Sequence, residues 1–101
     1  MASLRFKRAM IERAAIDDKI GAKRARKATE FGALAEKLNT LTAWEDAATF
    51  AREARDFYWV SANAPGVSEF ASMRFTALSN GWDRQYEHCL QTIGSNSWRK
   101  G

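Results

Sequence analysis

A single proline, Pro65, interrupts the 101 residues of this chain, and on both sides of it apolar residues recur at steps of three and four. Proline is the residue least tolerated inside a helix, and that step is the period which places side chains on one helical face. The chain is therefore expected to be all-α. Eighteen alanines agree, since alanine has the highest intrinsic helix propensity. The expected architecture is a small bundle of three to four helices with a long basic N-terminal helical segment. About 100 residues support one hydrophobic core, so residues 1–94 are read as a single helical domain and residues 95–101 as a flexible C-terminal tail.

Two stretches read as linkers, 39–41 and 61–66, and they divide the chain into three segments. In the first, Ile16, Ile20, Phe31, Leu34, Leu38 and Leu41 share a helix face that Lys23 and Lys27 interrupt. Either one helix runs from about Ser3 to Leu38 with a charged gap in its buried seam, or the segment breaks near Gly21 or Gly32, because glycine costs about 1 kcal/mol in a helix interior. In the second, Thr42 and Glu45 have the spacing of a capping box, which predicts a helix from Thr42 to about Val60. Its core arc is expected to hold Ala43, Ala47, Phe50, Ala51, Ala54, Phe57 and Tyr58. In the third, Ala71, Phe75, Leu78, Trp82, Tyr86, Cys89 and Ile93 form one seam through Gly81, as one long helix or as two joined at Asn80-Gly81.

The net charge of +4 is unevenly spread. Residues 1–40 hold ten Lys or Arg against five acids, whereas residues 41–65 hold two against four. The densest run is Lys23-Arg24-Ala25-Arg26-Lys27. Such a cluster neutralises phosphates or steers a protein toward an acidic surface.

Catalytic chemistry finds little to use. One cysteine and one histidine exclude a disulfide framework and a Cys/His zinc site. Glycine-rich phosphate loops and nucleophile elbows are not present. His88 and Cys89 are neighbours, which on a helix point about 100° apart and cannot readily share a proton. Cys89 reads as a small core residue and His88 as a boundary residue. Asp83 and Glu87 read as a solvated face with Arg84 as counter-charge, and Glu45, Asp46, Glu53 and Asp56 as local partners of Arg52 and Arg55. No enzyme activity, cofactor or metal site is expected.

Phe57-Tyr58-Trp59 says more, because three consecutive helical positions span about 200° and cannot all face one neighbour. At least one must serve a second surface. Trp59 with Arg52 and Arg55 makes an aromatic and cationic group of the kind enriched at interface hot spots, and Trp98 beside Arg99 and Lys100 makes another. The candidate partner-binding residues are thus Arg52, Arg55, Trp59 and Trp98. The candidate nucleic-acid-binding residues are Arg13, Lys19, Lys23, Arg24, Arg26 and Lys27.

The leading expectation is a small non-catalytic helical interaction protein that docks on a larger protein or nucleoprotein complex and modulates or inhibits it, with homo-oligomerisation through its apolar seams included. The alternative is a nucleic-acid-binding protein that contacts the phosphate backbone through the basic segment 13–27. Charged residues interrupt every window that could serve as a leader or a membrane span, so the expectation is a cytoplasmic protein with no membrane partner.

Overall fold

In the computed structural model the described backbone runs from residue 2 to residue 95, and the described side chains from residue 12 to residue 95. Three helices, α1 (Ala2–Leu38), α2 (Leu41–Ala62) and α3 (Glu69–Ser95), form a small all-helical bundle, with no strand among the described residues. None of these helices is long and apolar enough to cross a membrane. α1 does not break at Gly21 or Gly32, and α3 passes without interruption through Asn80-Gly81 and Gly94 to Ser95.

Two short connections set the topology. Asn39 takes a left-handed conformation, φ 49°, and its amide donates to the Ala35 carbonyl at 2.7 Å, which closes the end of α1. Thr40 then caps α2, its hydroxyl oxygen accepting from the Ala43 amide at 3.2 Å. The capping box expected at Thr42 is therefore displaced by two residues. The turn at Asn39 delivers Thr40 to the extended conformation that a cap needs, and Thr42 already lies inside the helix. At the far end Asn63 donates to the Trp59 carbonyl, Gly66 turns the chain at φ 79°, and the Ser68 hydroxyl accepts from the Ala71 amide.

α2 packs against both α1 and α3. Its contact surface is mostly alanine: Ala43, Ala47, Ala48, Ala51, Ala54 and Ala62 are buried, with Trp44 and Tyr58 supplying the bulk. Small side chains let helix axes approach closely. One apolar cluster joins Ala35, Trp44, Ala47 and Cys89, and a second joins Tyr58, Ala62, Ala71 and Phe75. Phe75 is fully buried, and its ring stacks on Tyr58 with centroids 6.0 Å apart.

The core face of α1 differs from the expected one. Its buried residues include Asp17, Gly21, Ala28, Gly32 and Ala35, whereas Ile16, Ile20, Leu34 and Leu38, with Leu41 beyond the turn, are exposed and Phe31 is half-buried. The reason is steric. α2 presents the Tyr58 ring to α1, and only a glycine at position 21 leaves room for it. The seam of α3 is also shifted, because Leu78 is exposed and Ser79 is buried instead, its hydroxyl donating to the Arg55 carbonyl at 2.9 Å.

α1 and α3 meet mainly through long side chains. Arg74 donates from both terminal nitrogens to the two Asp18 oxygens, at 2.5 and 3.0 Å. That hydrogen bonding holds the Arg74 guanidinium pKa above its ordinary value, against the opposing effect of burial. Beside this bridge runs an open groove of about 530 Å³, whose walls include Ala28, Gly32, Ala77, Gly81 and Trp82.

Candidate interaction surfaces

The basic run of α1 does not present one row of cations. At about 100° per residue, four charges in five positions wind around the helix, and the neighbours of each then decide its role. Lys19, Lys23 and Arg26 are exposed. Arg24 lies over the Phe57 ring at 5.3 Å and Lys27 over the Phe50 ring at 4.7 Å, so these two are laid against α2. Arg13 pairs with the buried Asp17 at 3.5 Å. Lys23, Arg24 and Lys27 line a groove of about 390 Å³ with Ile20, Phe50 and Glu53.

The second candidate group is divided in a similar way. Arg52 is exposed, and Trp59 keeps 54% of its surface accessible. Arg55 instead turns inward and bonds Asp56 at 2.9 Å and Asp83 at 3.0 Å, with its guanidinium 4.8 Å above the Tyr86 ring. Burial opposes its charge, but hydrogen bonds to Asp56 and Asp83 outweigh that and raise its pKa. Arg55 thus links α2 to α3 and is not presented beside Trp59. Asp83 faces Arg55 across the helix pair and not Arg84 on its own helix, because the interhelical partner is rigidly placed at hydrogen-bond distance. Trp98 lies outside the described residues.

Of the three consecutive aromatics, Tyr58 is buried, Phe57 is half-buried and Trp59 takes the second surface. Further large apolar side chains are exposed that the helical period does not single out. Val60 follows Trp59 on α2, and Phe70 and Met73 stand on the outer side of α3 at 78% and 67% exposure. Their signal is the offset of Phe70 and Met73 from the Ala71–Phe75 seam: both lie more than 130° away from Phe75 on the helical wheel.

Cys89 and His88 lie in different surroundings. Cys89 is fully buried, and burial raises its thiol pKa; the charge of Glu36 adds to this and a weak Gln85 contact at 3.9 Å opposes it. His88 points elsewhere, with its ring edge-on to Trp44 and Nε2 3.7 Å from Glu36. Among the described residues no three His, Cys, Asp or Glu side chains converge as a metal site. What the surface offers is apolar and cationic contact. Compared with family models, curated proteins and solved structures, the chain matches none, so its function is to be read from its own geometry.

Proposed function

We propose that this chain is a non-catalytic helical interaction protein that docks on, and modulates, a larger protein or nucleoprotein complex. One observation carries the reading: alanine supplies most of the buried positions, around Trp44, Tyr58 and Phe75, while several other large apolar side chains stand outside. Ala28, Ala35, Ala47, Ala51 and Ala54 are buried, whereas Trp59, Val60, Phe70 and Met73 are more than half exposed. Single exposed apolar residues are ordinary on soluble proteins, but several on the outer faces of adjacent helices mark a surface that excludes water only when a partner covers it. Trp59 is the expected anchor, as tryptophan is among the residues most enriched at interface hot spots, and Arg52 is its exposed cationic neighbour. Cytoplasmic residence belongs to this reading, since a lone buried thiol suits a reducing compartment.

The test is affinity capture of partners from the source cell by the wild-type chain and by Trp59→Ala, with thermal unfolding measured in parallel. Loss of a captured partner at unchanged melting temperature supports docking through Trp59. Unchanged capture removes Trp59 from the interface, and a lowered melting temperature assigns it to the fold.

A second reading, nucleic-acid binding, is supported by the exposure of Lys19, Lys23 and Arg26. It expects affinity to fall steeply with salt and to be lost in the Lys23, Arg24, Arg26 and Lys27 quadruple alanine variant. Retained binding in that variant overturns it.

A further inference from the structure

We propose that the flank of α1 beside α2 binds an acidic amphipathic helix from a partner protein. This rests on the reading of the chain as an interaction protein and adds a second surface with a defined occupant. Ile16 and Ile20 are exposed at one end of the flank, and Leu34, Leu38 and Leu41 at the other. Between them lies the groove lined by Ile20, Lys23, Arg24, Lys27, Phe50 and Glu53, three cations against one carboxylate. The flank therefore has apolar ends and a cationic middle. From Ile16 to Leu38 it is about 33 Å long, at about 1.5 Å per helical residue, which matches a partner helix of about 22 residues.

Charge complementarity selects the occupant. A nucleic acid would lay phosphates over Ile16 and Ile20 and over Leu34 and Leu38, exposed apolar side chains that gain nothing from a phosphate. A second copy of the chain would set apolar ends against apolar ends, and would then bring Lys23 and Lys27 against their own counterparts, like charge facing like charge. A helix with apolar residues in its outer turns and carboxylates in its central turns meets all three zones. Two carboxylates four residues apart match Lys23 and Lys27, which have the same spacing. The rings beneath Arg24 and Lys27 restrain those side chains, so less freedom is lost on binding.

The experiment uses the full chain and two labelled 22-residue helical peptides with identical leucine positions, one with glutamates in its central turns and one with lysines there. Binding is followed by fluorescence anisotropy. The glutamate peptide is expected to bind at least tenfold more tightly than the lysine peptide. The Lys23→Glu/Lys27→Glu variant should reverse that preference, and Ile20→Asp/Leu34→Asp should weaken both peptides at least tenfold. These four positions are exposed, and circular dichroism checks that the variants stay folded. Equal binding of the two peptides, or no binding of the glutamate peptide, overturns the proposal. So does tighter binding of a single-stranded oligonucleotide, or self-association of the chain that Ile20→Asp/Leu34→Asp abolishes. A negative result with the peptides leaves the Trp59 capture experiment unaffected, so the two readings fail separately.

Discussion

The ring of Tyr58 lies against the backbone of Gly21: a methyl group at position 21 would stand 2.5 Å from Cε1, 2.7 Å from Cζ and 2.9 Å from the hydroxyl oxygen. Tyr58 is buried and stacked on Phe75, so it has nowhere to retreat. Gly21→Ala gains about 1 kcal/mol of helix propensity and incurs about 1–3 kcal/mol of overpacking, and with contacts this short the second effect wins. A net loss of up to about 2 kcal/mol is expected, which lowers the melting temperature by up to about 16 °C in a chain of this size. Gly81→Ala is the matched control. Its nearest neighbour would be the Arg84 guanidinium at 3.9 Å, so it is expected to raise the melting temperature.

Asn39 serves two purposes at the α1–α2 turn. It adopts φ 49°, and its side-chain oxygen accepts the indole N–H of the buried Trp44 at 2.9 Å. Asn39→Ala loses the tolerance of the left-handed region that the asparagine side chain provides, at about 1 kcal/mol, and strands the indole donor at about 1–3 kcal/mol. Urea unfolding should show a loss of about 2–4 kcal/mol. Asn39→Gly relieves the backbone but still removes the acceptor, so it should fall between wild type and the alanine variant. A glycine variant as stable as wild type would show that the indole bond contributes nothing.

Legibility in the sequence followed what periodicity measures. Ala51, Ala54, Tyr58, Phe75 and Cys89 are buried where the helical period puts them, and the 200° spanned by Phe57, Tyr58 and Trp59 requires one of the three to face outward. The buried face of α1 departs from its apolar stripe because apolarity ranks isoleucine and leucine above glycine and alanine, while a close helix approach selects by size. The stepping of Gly21, Ala28, Gly32 and Ala35 carried that information. The start of α2 was displaced because Thr40 and Thr42 both offer a capping hydroxyl, and only the conformation of Asn39 decides between them. The Arg55–Asp83 bridge spans 28 positions, and no local spacing rule reaches that far. The roles of Arg24 and Lys27 depend on rings contributed by α2, which the charge pattern of α1 does not contain.

The bidentate Arg74–Asp18 pair ties α3 to α1 beside an open groove, yet both side chains are about 40% exposed. Solvent screens such a pair, so a double-mutant cycle with Asp18→Asn and Arg74→Gln should give a coupling of about 0.5–1 kcal/mol. The coupling should shrink at 1 M salt, where the screening length falls to about 3 Å. A value above about 3 kcal/mol, insensitive to salt, would mean that the bridge behaves as a buried pair.

Two buried acids make the fold sensitive to alkali. Burial raises the Tyr58 phenol pKa, with the charge of Asp18 adding to it and Arg74 opposing; burial likewise raises the Cys89 thiol pKa, with Glu36 adding and Gln85 opposing. Both groups are neutral when protonated, and in the unfolded chain they ionise near their ordinary values of about 10 and about 8.5. Between those values and the higher folded ones the native state holds more protons than the unfolded state, so stability falls as pH rises. The contribution is complete below about pH 8.5 and is lost as pH climbs through the folded-state values. Urea midpoints should therefore be level from about pH 7 to 8 and decline above about pH 9. Cys89→Ala should remove the earlier part of the decline and Tyr58→Phe the later part. A midpoint that rises with alkali, or a decline that persists unchanged in both variants, would show that these two buried groups do not set the alkaline limit.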